Sequence, residues 1–114
     1  MSGMFFGCEQ LNKLNISNFH TDNVTDMSNL FKNFSKLSNI DLSSFNTNKV
    51  KNMLGMFSMC ENLEQLDLSI FSTENVERMD EMFNFCRKLK RLILNSFNTI
   101  KVKSFEKMFI IIHV

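Results

Sequence analysis

Apolar positions recur along this chain with a period of 26 residues. Phe19, Phe45, Phe71 and Phe97 form one column at this step, Val24, Val50, Val76 and Val102 a second, and Leu11, Leu37, Leu63 and Leu89 a third. A polar column, Thr21, Thr47, Thr73 and Thr99, keeps the same spacing. A fixed period of this size is the signature of a solenoid, in which one unit cannot bury its apolar face alone and does so against its neighbours. Four whole units fit, 11–36, 37–62, 63–88 and 89–114, and residues 1–10 match the last ten positions of a unit. The chain reads as a single solenoid domain, 1–114, that starts inside a unit, as expected of a fragment of a longer array.

Two periodicities share each unit. The first part reads Leu-x-x-Leu-x-Leu, as in Leu37, Ile40, Leu42 and Leu63, Leu66, Leu68, and its last three residues alternate in and out. This predicts short strands at 14–17, 40–43, 66–69 and 92–95, stacked as a parallel ladder. The second part places Val50, Met53, Met56, Phe57, Cys60 and Leu63 at steps of 3, 3, 1, 3 and 3, one face of a helix. Thr47 and its equivalents are placed to cap that helix. The expected fold class is therefore α/β: a leucine-rich-repeat solenoid with a parallel β ladder on one side and helices on the other. Phe19, Phe45, Phe71 and Phe97, at the corner between strand and helix, are expected to stack as an aromatic spine.

The best copy of the unit runs Phe45, Thr47, Val50, Met53, Met56, Phe57, Cys60, Leu63, Leu66, Asp67, Leu68, Ser69. With these residues the repeat resembles the BspA-like leucine-rich repeat, the 26-residue repeat of bacterial surface proteins. Departures from that pattern are Phe34 in the Cys column, Phe105 for the first Met of the last unit, and Asn15 and Ile93 in the Asp column. The resemblance implies a cell-surface or secreted location, adhesion, and binding of a host or extracellular-matrix partner.

Composition narrows the function classes. The 13 Phe and nine Met residues fall mostly in the repeat columns, which makes them core. A net charge of +1, with basic residues clustered only at Arg87-Lys88 and Lys90-Arg91, argues against nucleic acid or an anionic membrane as partner. No apolar run approaches the ~18 residues of a membrane span, so membrane insertion is not expected. Met1-Ser2-Gly3-Met4 shows neither a basic region nor an apolar stretch, so no signal peptide is expected in this chain. Cys8, Cys60 and Cys86 share a column with Phe34 and Ile112, which reads as buried thiols rather than metal ligands. His20 stands in a corner column with Asn46, Ser72 and Asn98, and no nucleophile has a His and acid partner. No catalytic residue, metal or cofactor is expected, and the chain is read as no enzyme.

What remains is the outward face of the strands. Its columns are Lys13, Asn39, Gln65, Arg91; then Asn15, Asp41, Asp67, Ile93; then Ser17, Ser43, Ser69, Asn95. Adjacent strands lie ~4.8 Å apart, so these side chains form close polar rows. Lys13, Asn15, Asn39, Asp41, Ser43, Gln65, Asp67, Ser69 and Arg91 are the candidate ligand-binding residues, suited to a protein or glycan ligand. The alternative is a structural spacer or stalk segment with no ligand of its own. Variation along the Lys13 column favours binding, since a spacer would keep its outward columns uniform. Open ladder edges predict self-association.

Overall fold

In the computed structural model, residues 1–109 are described; the end of the fourth predicted unit, 110–114, lies outside them. The chain winds in coils of 26 residues. Two strands form, β1 (Gln65–Asp67) and β2 (Arg91–Ile93), paired in parallel with Gln65 opposite Arg91 and Asp67 opposite Ile93. A second parallel seam joins Asp26 to Asn52, Asn52 to Arg78 and Arg78 to Ser104. Every one of these pairs is separated by one repeat, as the column spacing requires.

The helices expected in the second half of each unit do not form, so the α/β assignment is wrong: among the described residues there is no helix. Tight turns take their place. Leu30 N–H donates to Met27 C=O at 3.3 Å and Phe34 N–H to Phe31 C=O at 3.2 Å, and the next coil repeats this at Met56 to Met53 and Cys60 to Phe57. The intervening amides point out of the coil. Asn29, Phe31 and Asn33 donate to Leu54, Met56 and Ser58, and Gly55, Phe57 and Met59 donate to Asp80, Met82 and Asn84. An amide committed to the next coil cannot close an i−4 bond along its own, so a helix is excluded. Consecutive tight turns bring Met53, Met56, Phe57 and Cys60 inward at the same steps a helix would.

The turns need left-handed residues, and the sequence supplies two columns of them. Gly3, Asn29, Gly55, Glu81 and Lys107 have φ of 54 to 61°. Gly7, Asn33, Met59 and Phe85 have φ of 59 to 73°. A positive φ at the third residue of a turn favours Gly and Asn, and all three glycines of the chain sit here. At Gly55 the backbone also packs against Asn29 Oδ1, which leaves no room for a Cβ.

The strand expectation holds only in part. Segments 14–17 and 40–43 are not strands, and β1 and β2 are shorter and start one residue earlier than the predicted 66–69 and 92–95. The cause lies in where the coils are clamped. On the turn side, alternate amides bond across. On the strand side, Glu64 N–H donates to Ser38 C=O at 3.0 Å, and no backbone bond then joins 39–43 to 65–69 among the described residues.

The core is built from the columns. Met27, Met53, Met79 and Val50, Val76 are fully buried, as are Leu30, Met56 and Met82. The continuous aromatic stack is not the corner column but the turn column: Phe5, Phe31, Phe57, Phe83 and Phe109, with centroid separations of 5.8, 5.5, 6.0 and 5.6 Å. Phe45 lies against this stack, 6.2 Å from Phe31, and Phe71 is likewise buried. Replacing Phe57, which touches a ring in the coil on each side, by Ala is expected to cost about 3–5 kcal/mol. Urea melts check this, and a loss under about 1 kcal/mol would contradict the stack.

Candidate functional site on the strand face

The side-chain columns of the strand face follow from the alternation in β1 and its neighbours. Leu66 and Leu68 point in and are buried, so Gln65, Asp67 and Ser69 point out. All nine candidates, Lys13, Asn15, Asn39, Asp41, Ser43, Gln65, Asp67, Ser69 and Arg91, are exposed. The face carries a trough that spans the paired strands β1 and β2 and the unpaired segment 39–41. Its central part, about 480 Å³, is lined by Asn39, Ile40, Asp41, Gln65, Leu66, Asp67, Arg91 and Ile93. A second depression of about 310 Å³ lies beside it at Lys13, Asn15 and Ile40, and a third of about 130 Å³ at Ser43, Asp67, Ser69 and Ile70. Column logic thus brings all nine candidates to three adjoining depressions on one face, which share Ile40 and Asp41 as lining residues.

It also missed several residues. Half-buried Ile40 and Ile93 also line the central depression, and Ile70, 52% exposed, lines the one beside Ser69. Ile70 was visible in principle: its column otherwise reads Asn18, Ser44 and Ser96.

Asp41 and Asp67 have a local job. Asp41 Oδ1 accepts from Ser43 N–H at 2.9 Å, and Asp67 Oδ1 accepts from Ser69 N–H at 2.9 Å. These are Asx turns that close the corner after the strand. The Ser43 side chain and N–H hold the Asp41 carboxyl below its ordinary 3.8. The Ser69 side chain and N–H do the same for Asp67, helped by the nearby charge of Arg91. Asn15 makes the same turn without a charge: its Oδ1 accepts from Ser17 N–H at 3.1 Å and from the Ser17 hydroxyl at 2.8 Å.

Elsewhere polar groups join coils. The Thr21 hydroxyl donates to Asn46 C=O at 2.9 Å and accepts from Asn46 N–H at 2.7 Å. Thr47 does this with Ser72, and Thr73 with Asn98. The Thr column is therefore a seam between coils and not a set of helix caps. Asp80 is buried, which raises its pKa, but hydrogen bonds from the Ser104 hydroxyl and from Arg78 Nε at 3.0 Å outweigh this and hold it below 3.8. Cys60 and Cys86 are buried, and their thiols donate to Phe31 C=O at 3.2 Å and Phe57 C=O at 3.1 Å. Burial pushes the Cys60 thiol far up and the Cys86 thiol to about 12. Among the described residues no group of three or more His, Cys, Asp or Glu could hold a metal ion. Nor does any helix long and apolar enough to cross a membrane occur there.

A chain of stacked coils with an open polar face is what the fold defines. Over residues 1–113 it matches the family described as "Mycoplasma protein of unknown function, DUF285". The chain belongs to this family. No curated protein and no solved structure matches it.

The two kinds of thiol give one prediction. A soluble alkylating reagent should label half-buried Cys8 in the native protein, and Cys60 and Cys86 only after denaturation, because the thiolate is the reactive form and burial suppresses it. Mass spectrometry of labelled peptides reads this out; equal labelling of all three would contradict the burial. A second concerns pH. A carboxylate with a lowered folded pKa contributes stability above its unfolded pKa and loses it as pH falls through the folded value. Asp41 and Asp67 should therefore contribute to a fall in melting temperature below about pH 4. Asp41→Asn with Asp67→Asn should flatten that fall and leave the melting temperature near neutral pH almost unchanged, because Asn15 shows that Asn keeps the turn. An unaltered acid limb in the double variant would contradict the assignment.

Proposed function

We propose that this chain is a non-catalytic interaction module of the surface-adhesin kind, which binds an extracellular or host partner through the trough on its strand face. The observation that carries the reading is the continuity of that face. Exposed polar side chains from successive coils line one depression together with the half-buried Ile40 and Ile93. Stacked-repeat proteins characteristically bind through such composite surfaces, because each coil adds one position to a row. The BspA-like pattern of Phe45 to Ser69 supports a place at a cell surface.

The spacer reading keeps one specific observation in its favour. Asp41, Asp67, Ser43 and Ser69 are engaged in corner turns, so these exposed residues have a structural use with or without a ligand. Asn39, Gln65 and Arg91 make no side-chain hydrogen bond among the described residues, and the turns do not account for them.

The test compares two triple variants in binding to immobilised extracellular-matrix proteins. Asn39→Ala, Gln65→Ala and Arg91→Ala together strip the trough and touch no structural bond. Lys51→Ala, Glu74→Ala and Lys88→Ala together remove exposed side chains that do not line it. The trough variant should lose at least tenfold in affinity and the other less than twofold, since contacts at the centre of an interface dominate binding. Equal losses would move the site off the strand face. Absence of binding by the unaltered chain would leave the spacer as the better reading.

A further inference from the structure

The turn side of the middle coils holds three oxygens that have no hydrogen-bond partner among the described residues. They are Asn29 Oδ1, Ser58 Oγ and Asn84 Oδ1, each closed off from solvent. Ser58 is 1% exposed and Asn84 7%. Elsewhere buried polar side chains between coils are paired, as Thr47, Thr73 and Asp80 are. A polar atom taken out of water without a partner forfeits its hydration, so these three need an account.

They belong to one place. A methyl group built on Gly55 would meet both Asn29 Oδ1 and, at 3.8 Å, Ser58 Cβ, so the Asn29 amide and the Ser58 side chain border the same spot. Asn84 stands one repeat beyond Ser58. Phe57 N–H donates to Met82 C=O at 3.0 Å and Met59 N–H to Asn84 C=O at 2.7 Å, which holds Ser58 beside Asn84 in register. Coils paired in this way lie ~4.8 Å apart. The three oxygens therefore run obliquely across three coils.

The middle coil carries the least side chain here. Gly55 stands where the coils before and after have Asn29 and Glu81, and Ser58 stands where they have Lys32 and Asn84. The coils do not close up over this deficit: the cross-coil bonds from Asn29 N–H to Leu54 C=O and from Gly55 N–H to Asp80 C=O are both 2.8 Å. The Asn29 amide takes the place beside Gly55, and the short Ser58 side chain leaves room next to it.

Donor and acceptor counts select the occupant. The two amide oxygens only accept, while the hydroxyl can donate. A water donates to Asn29 Oδ1 and to Asn84 Oδ1 and accepts from the Ser58 hydroxyl, which satisfies all three with the ~3 bonds typical of a buried water. A cation would meet three neutral oxygens and carry its charge out of solvent uncompensated.

We propose that one water molecule is built into the turn side of the stack, bridging Asn29, Ser58 and Asn84 and so tying three consecutive coils.

The experiment is magnetic resonance on the isotopically labelled full chain. Oxygen-17 relaxation dispersion counts long-lived internal waters, and water-to-amide cross-relaxation locates them. The unaltered chain should show cross-peaks from water to the amides of Ser58 and Met59. Ser58→Ala should keep them, which separates a bound water from exchange through the serine hydroxyl. Ser58→Asn places a side-chain NH2 where the water sits. It should remove the cross-peaks and one long-lived water, and change the melting temperature by less than about 4 °C. Absence of the cross-peaks in the unaltered chain would overturn the proposal. So would their loss in Ser58→Ala with an unchanged water count, or their survival in folded Ser58→Asn. Amide shifts at Ser58 and Met59 that follow added potassium chloride, without water cross-peaks, would assign the place to a cation instead. Should Ser58→Asn fail to fold, the unaltered chain and Ser58→Ala decide the question by themselves.

Discussion

The structure depends on a hydrogen bond from an amide in one coil to a carbonyl 25 residues further on. In the turn segments these bonds alternate with short bonds inside the coil, so the backbone is satisfied without helix or wide sheet. Each bond is worth only about 0.5–1.5 kcal/mol net, but together they fix the register of every coil on the next. Register is what creates columns. Once Phe31 sits over Phe57 and Phe57 over Phe83, identical side chains meet at each step, and one choice of residue is tested in every coil. The Thr seam and the Asp26, Asn52, Arg78, Ser104 seam hold the same register at two other points of the circumference.

The period, the parallel pairing and the inward columns were legible because they depend only on what recurs every 26 residues. The helices were not, because the inward steps from Val50 to Leu63 are common to a helix face and to consecutive tight turns. The distinguishing signal lay on the other residues. Gly3, Asn29 and Gly55 stand in one column, and Gly7 and Asn33 in another, where a helix would bear a cost of up to about 1 kcal/mol per glycine and a left-handed turn would not. Glu81, Phe85, Met59 and Lys107 occupy those columns too and hide the pattern, because the surrounding bonds hold them left-handed against their preference. The aromatic stack was misassigned for a related reason: two Phe columns share the period, and which one aligns its rings depends on turn geometry that spacing does not encode.

The candidate site was legible as a set of outward residues but not as a trough. Alternation identified Asn39, Asp41, Gln65, Asp67 and Arg91 as outward. The depression spans coils that pair at 65–67 with 91–93 and coils that do not pair at 39–43 with 65–69, and no residue type announces which of the two a segment does. Ile70 carried a readable signal, an apolar residue in a column of Asn and Ser.

A structural role and a binding role can be separated within one side chain here, because the repeat supplies its own controls. The corner turn needs an oxygen acceptor two residues before the serine amide, and Asn15 meets that need as well as Asp41 and Asp67 do. The acceptor is therefore required by the turn, and the charge strengthens it, since the serine hydroxyl and N–H hold both carboxyls below 3.8. At Ile93 even the acceptor is gone, yet β2 pairs with β1 in full register, so the turn itself is dispensable in that coil. The fold thus tolerates Asn, Asp or Ile at equivalent places, which means that two adjacent carboxylates facing an open trough are a choice the coil stack does not make. The charge at these places can vary without loss of the register that stacks the coils.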